Sequence, residues 1–350
     1  MAAPNTHARM SLSSVPLQAS WRGMLIARAL PDAKTTVPYL YMLFLDGPLA
    51  SNYDLREVNE SFGNSRVSPE WDWRKGLFWH EWIRSWSSVM ELENSFAPNE
   101  KAGYPEAEAA MLAGLSSLFA EWHGRAQGNL PDGVRAADLV WDGFYPFYTA
   151  QSKRILFVGR EGRGIAGCHY IDVLLPAYRK EKVIGGVPLN NCRMHRRMFY
   201  VTYGVNNDFP AYSDVPNAAK LAETFATRNG ISFAFMNLSK ISNEEESWVT
   251  NWGRVDASLK VSKASVCLEE SEIEILRPDV VISMNLGERL KCLGKLTCIE
   301  RTPEVNAYHL DAGRAKGILL LDTWHFAAPS KKDEEHYYNP ILKAIRKHGG

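Results

Sequence analysis

Four short, nearly unbroken apolar runs constrain this chain most: ILFVG (155–159), ISFAFMNLS (231–239), DVVISMN (279–285) and GILLLDT (317–323). Each is too short to span a membrane and too uniformly apolar for a strand with one wet face, so the pattern predicts parallel strands buried on both sides. Between them, VPNAAKLAETFATRNG predicts a helix stopped by Gly230, and SVCLEESEIEILRPD a helix closed by Pro278. Strands alternating with helices imply a doubly wound, three-layer α/β fold around a mostly parallel, four-stranded central sheet. Ligands in such sheets bind beyond the carboxyl ends of the strands. The chemistry is therefore to be sought at Glu161, Asn237, Asn285 and the segment after Thr323.

The first 140 residues read differently. PEWDWRKGLFWHEWIRSW places Trp79, Trp82 and Trp86 at helical spacing, and YPEAEAAMLAGLSSLFAEWHGRA predicts a second amphipathic helix. GNLPDG at 128–133 marks a break. The expectation is a mainly helical, Trp-rich extension over 1–140 and an α/β domain over 141–350. Tryptophans at that spacing usually belong to a core, and stacking on bases is the rarer alternative. No run approaches the ~18 to 20 apolar residues of a membrane helix, and MAAPNTHARM lacks the apolar centre of a signal peptide. A cytoplasmic protein without a membrane partner is expected.

Five cysteines form no CxxC and no metal-ligand spacing, and nine histidines form no HExxH, so neither a metal nor a disulfide framework is expected. Net charge is zero but unevenly placed: residues 1–150 carry 12 basic against 17 acidic side chains, and residues 151–210 carry 10 against 4. Part of that excess is Arg193, Arg196 and Arg197 in NNCRMHRRMFY. A basic region beside a glycine-rich turn suits an anionic ligand, and a solvated helix face is the plain alternative.

The glycine-rich turn is RILFVGREGRG, with Gly159, Gly162 and Gly164 spaced GxxGxG. A dinucleotide fingerprint needs GxGxxG and a P-loop needs GK[ST], so no nucleotide cofactor is expected. A carboxylate among strand-end glycines, an Asn ending the next strand and a His past the last one instead suit glycosidic-bond chemistry on a flipped base. Here the chain resembles the uracil-DNA glycosylase superfamily. Gly159–Gly164 is similar to that family's first motif, Ala234-Phe-Met-Asn237 to its LLLN-type strand, and Leu319 to Ser330 to its final strand followed by HPS. The wording WDGFYPFY…RILFVGREGRG and FAFMNLSKISN further resembles bacterial antiphage glycosylases that remove glucosylated cytosines from phage DNA.

The resemblance implies an enzyme without cofactor, acting on DNA. Glu161 would stabilise the sugar cation and hold or deprotonate the attacking water, His325 would bond base O2, and Asn237 would bond the base edge. Gly159, Arg160, Gly162, Arg163, Gly164, Tyr170 and Asn285 would line the base pocket. Ser239, Lys240, Trp324, Phe326, Ser330, Lys331, Lys332, Arg196 and Arg197 are the candidates for DNA contact, with Trp324 and Phe326 as wedges. Two departures matter. Gly162 and Arg163 replace the Pro and Tyr of the uracil-specific branch, which would open the C5 side to a large substituent. Phe326-Ala-Ala separates His325 from Pro329. Plain alternatives stand beside these roles: an ion pair for Glu161, a turn cap for Asn237, packing for His325 and a solvated KKDEE run. Uracil excision, non-catalytic reading of a modified base, and hydrolysis of free nucleosides remain competing functions.

Overall fold

The structure, a computed structural model, describes the backbone of 25–30 and 39–44 and residues 96–99, 103–245, 249–263 and 267–349. The chain divides into two compact units, Met1–Asp72 and Trp73–Gly350. In the first, strand β1 (Leu25–Leu30) pairs antiparallel with β2 (Tyr39–Phe44). A strand pair thus stands where a mainly helical extension is expected. Trp79, Trp82 and Trp86 lie outside the described residues.

In the second unit the elements run α1 (Ala109–Ala126), β3 (Gly143–Phe144), β4 (Ile155–Arg163), α2 (Tyr170–Pro176), a two-residue hairpin β5 (Val183–Ile184) and β6 (Val187–Pro188), and α3 (Arg193–Asn206). They continue with α4 (Ala218–Leu221), β7 (Ala234–Asn243), α5 (Trp252–Ser262), α6 (Leu268–Leu276), β8 (Val280–Met284), β9 (Lys295–Arg301), β10 (Val305–Ala312), β11 (Ala315–Thr323) and α7 (Asn339–His348). Helix α1 is the predicted second amphipathic helix. Its Leu115, Leu118, Phe119 and Trp122 share one buried cluster with sheet residues, so this unit begins well before residue 140.

The sheet is α/β, mostly parallel, and has seven strands in the order β3-β7-β4-β8-β11-β10-β9. The four apolar runs supply β7, β4, β8 and β11, which are mutually parallel. The expected four-stranded sheet is enlarged by antiparallel β3 on one edge and by β10 and β9 on the other. Alternation sends Ile155, Phe157, Phe235, Ile282 and Leu321 to one core cluster and Leu156, Val158, Met236, Val281 and Leu320 to the other. Helices α2, α3, α4 and α7 cover the first face, and α1, α5 and α6 the second.

Three predicted elements change length. The helix expected over 215–230 makes one turn, α4, and then breaks, with Ala226 left-handed and its N–H bonded to Ile231 O. The cause is tertiary: Phe225 is drawn fully into an aromatic cluster with Tyr145, Tyr178, Phe199 and Phe233. Strands β4 and β7 run longer than expected. Their pairing extends through Gly159↔Asn237 and Glu161↔Ser239 to Arg163↔Asn243, whereas β8 leaves β4 at Val158↔Ser283. A two-stranded tongue therefore projects past the ends of β8 and β11.

Candidate active site

The tongue holds the residues that matter. Position 159 begins it because the backbone there is crowded: a Cβ on Gly159 would lie 2.6 Å from Asn237 Oδ1 and 2.8 Å from the Phe235 ring. Glycine lets the Asn237 amide lie directly on the neighbouring strand. Asn237 is buried, its N–H donates to Asp142 Oδ2 at 2.7 Å, and its Nδ2 is buried with no partner among the described residues. Two residues back along β7, Phe235 stacks on Tyr170 with ring centres 4.6 Å apart and planes 8° from parallel.

Glu161 shares the face of Gly159 by strand alternation. Its side chain is 3% exposed. Oxygen Oε1 accepts from Asn243 Nδ2 at 2.9 Å and Asn251 N at 3.2 Å, with Arg163 at 3.5 Å. Oxygen Oε2 is buried and has no partner among the described residues. One oxygen is thus tethered while the other has no hydrogen bond among the described residues.

The arginines on either side are fixed from across the tongue. Arg160 donates to Thr250 Oγ1 at 3.2 Å and to Asn285 O at 3.1 Å, and its guanidinium lies 5.0 Å from the Trp252 ring centre. Arg163 donates to Val249 O at 2.9 Å. Asn285 enters through its carbonyl rather than its side chain. It is exposed and left-handed (φ 55°), a conformation Asn tolerates better than most residues. Asp322 secures this turn by accepting from Ser283 Oγ at 2.7 Å.

His325 follows β11. Its Nδ1 accepts from Ala327 N at 3.2 Å, which leaves the ring proton on Nε2. Burial first, then the charges of Arg160, Arg163 and Arg197, push the imidazole down to about 4. It is neutral at pH 7 and a donor through Nε2.

Several expected roles need correction. Gly162 opens no space, because Ile165 Cδ1 would meet its Cβ at 3.1 Å and Val140 Cγ1 at 3.7 Å. The side chain it lacks has been replaced by core. Lys240 and Ser239 are fully buried and reach no phosphate: Lys240 Nζ bonds Asp142 Oδ1 and, at 2.9 Å, Glu272 Oε2, and Ser239 Oγ bonds Ile241 O at 2.9 Å. Phe326 is fully buried and packs edge-on against Phe157 and Tyr337, so it is no wedge. Arg196 and Arg197 both pair with Asp333 at 2.7 Å, and Arg197 is 2% exposed. Lys240 and Arg197 are hidden and Arg196 is half-buried, each held by a carboxylate far away in sequence.

On the surface remain Trp324, 38% exposed with Lys331 Nζ 4.0 Å from its ring centre, Ser330, and Lys332, which pairs with Glu335 at 2.8 Å. Gly164 is left-handed (φ 63°) and closes the tongue with its N–H on Asn243 O. Asp142, Glu272, Asn243 and Asn251 escaped the sequence reading. Among the described residues no three His, Cys, Asp or Glu are grouped to hold a metal, and no helix is long and apolar enough to cross a membrane. Compared with protein-family models, curated proteins and solved structures, the chain matches none.

Proposed function

We propose that this protein is a monofunctional DNA glycosylase of the uracil-DNA glycosylase type, acting on a flipped modified pyrimidine and leaving an abasic site. The observation that carries this reading is a pair of buried polar atoms with no partner among the described residues, Glu161 Oε2 and Asn237 Nδ2, on adjacent parallel strands and on one face of the sheet. A buried polar atom without a partner costs about 1 to 3 kcal/mol, so such atoms mark a place where a ligand completes the bonding. A carboxylate oxygen and an amide donor on one face, two residues apart in register, suit a sugar cation and a base edge.

In the reaction the bond from C1′ to the base nitrogen breaks and its electron pair leaves with the base. Glu161 Oε2 faces the positive charge developing on the sugar and takes a proton from the water whose oxygen bonds C1′. His325 Nε2–H donates to base O2 and draws off the negative charge. A neutral imidazole suffices, since it gives a hydrogen bond rather than a proton. Phe235, which stacks on Tyr170, precedes Asn237 on β7 and offers an aromatic neighbour to the base, and Trp324 with Lys331 offers an aromatic face and a cation to the DNA.

The substrate we propose is glucosylated 5-hydroxymethylcytosine of phage DNA, excised as an antiviral defence. With Gly162 filled by core, this choice rests on the motif resemblance and on Arg163. In the motif resemblance Arg163 takes the position of the uracil-specific branch's excluding Tyr, and a guanidinium is a multiply donating head suited to a sugar's hydroxyls.

The test incubates the full-length protein with uracil-containing, unmodified and glucosylated 5-hydroxymethylcytosine DNA, measuring free base by mass spectrometry and strand scission after alkali. Release from the glucosylated DNA is expected, with a loss of about 10²- to 10⁴-fold in Glu161→Gln at unchanged DNA affinity. Tight binding of modified DNA with no base released by the parent protein would make it a reader instead. Robust uracil release with glucosylated DNA intact would overturn the substrate and leave the reaction standing.

A further inference from the structure

The loop that carries His325 is built on one buried cation. Arg197 projects from α3, on the face of the sheet that Glu161 and Asn237 occupy, and every nitrogen of its guanidinium is engaged by that loop. NH1 donates to Phe326 O and, at 3.1 Å, to Ala328 O; NH2 donates to Lys331 O; Nε pairs with Asp333 Oδ1 at 2.7 Å. The guanidinium plane lies 4.1 Å from the ring centre of Tyr337, whose hydroxyl donates to His325 O at 2.9 Å. The next residue, Phe326, is locked into the core between Phe157 and Tyr337.

A guanidinium this deeply buried is a poor way to gain stability, because desolvation offsets most of what its bonds return and an apolar residue often does as well. What it does supply is a rigid planar fork that fixes three backbone carbonyls and a carboxylate at once. Those carbonyls belong to the residues immediately after His325, and the Tyr337 hydroxyl holds the His325 carbonyl itself. Resting on the reading of His325 above, we propose that Arg197 is its positioning residue: it clamps residues 326–333 so that Nε2 is held at one point. Arg197 then serves the leaving group from behind instead of touching DNA.

The experiment uses full-length protein and the glucosylated substrate. Arg197→Met and Arg197→Lys are compared with Leu115→Ala, a core truncation on the opposite face that lowers stability without touching the loop. Misplacing a reacting group by about 1 Å costs about 100-fold. Arg197→Met is therefore expected to lower single-turnover base release by about that factor per folded molecule, with DNA affinity within about threefold. Arg197→Lys, which keeps the charge and loses the fork, should stay impaired, and added guanidinium should restore part of the rate to Arg197→Ala. In a His325→Ala background Arg197→Met should cost nothing further. Equal losses with and without His325, or a loss no larger than that of Leu115→Ala, overturns the proposal.

A second readout needs no activity. Arg197 is one of the three cations holding the imidazole down, so its removal should raise the His325 titration midpoint seen by NMR and broaden the signal. An unchanged midpoint and line shape overturns the proposal even if the parent protein releases no base. The failure of this inference and that of the glycosylase reading are thereby told apart.

Discussion

Replacing Lys240 with methionine separates a buried structural cation from a DNA contact. The lysine is fully buried, bonds both Asp142 and Glu272, and lies 5.0 Å and 5.4 Å from the ring centres of Trp122 and Phe119. Methionine has a similar volume, so little cavity cost is added. What is lost is the counter-charge. Asp142 keeps the Asn237 N–H, but Glu272, whose carboxyl burial already pushes well above its ordinary range, keeps only a carboxyl neighbour. Removing one partner of a buried ion pair costs about 3 to 5 kcal/mol. At about 2 to 4 °C per kcal/mol for domains of roughly this size, the midpoint should fall by about 6 to 20 °C.

Urea unfolding of the full-length variant measures the loss, and Glu272→Leu added to Lys240→Met should recover part of it, because one stranded acid is gone. DNA binding measured against salt supplies the opposing outcome. A lysine on a phosphate contributes about 0.9 to the slope of log affinity against log salt, and its removal would lower that slope with stability intact. Destabilisation below about 1 kcal/mol together with a reduced slope would refute the buried network.

Two further outcomes follow from the same geometry. Gly159→Ala has an ordinary backbone conformation, yet its Cβ would press on the Asn237 amide and the Phe235 ring. About 1 to 3 kcal/mol of destabilisation and a larger fall in base release than in DNA affinity are expected, and normal release would show that the Asn237 position is not critical. His169, His195 and His325 are held at about 3, about 4 and about 4, in each case chiefly by burial, against an ordinary 6.5. A depressed group contributes stability that is present above its unfolded value and lost as pH falls towards its folded one, so unfolding free energy should drop between pH 6.5 and 4. Glu269, Glu272 and Asp322, raised chiefly by burial, act in the opposite sense. His195→Gln isolates one histidine and should flatten the acid limb of a urea-midpoint series, whereas an unchanged limb contradicts the assignment.

The strands that form the parallel core were legible because their signal is local: an uninterrupted apolar run can only be buried on both faces, and 155–159, 231–239, 279–285 and 317–323 all sit in one sheet. The same runs located Asn237, and the glycine turn after the first of them located Glu161. Neither residue's bonding state was legible. The tether on Glu161 Oε1 comes from Asn243 and Asn251, 82 and 90 residues on, and the continuation of β4 and β7 into a tongue depends on polar residues that read as turns.

The basic residues misled for a related reason. Whether Lys240, Arg196 and Arg197 face solvent or a carboxylate is not written in their neighbours. It depends on Asp142, 98 residues before Lys240, and on Asp333, 137 and 136 residues after the two arginines. Hydrophobic burial follows from the sequence nearby, because an apolar side chain leaves water whatever it meets. Burial of a charge requires a particular partner at bonding distance, and only the tertiary structure brings that partner there.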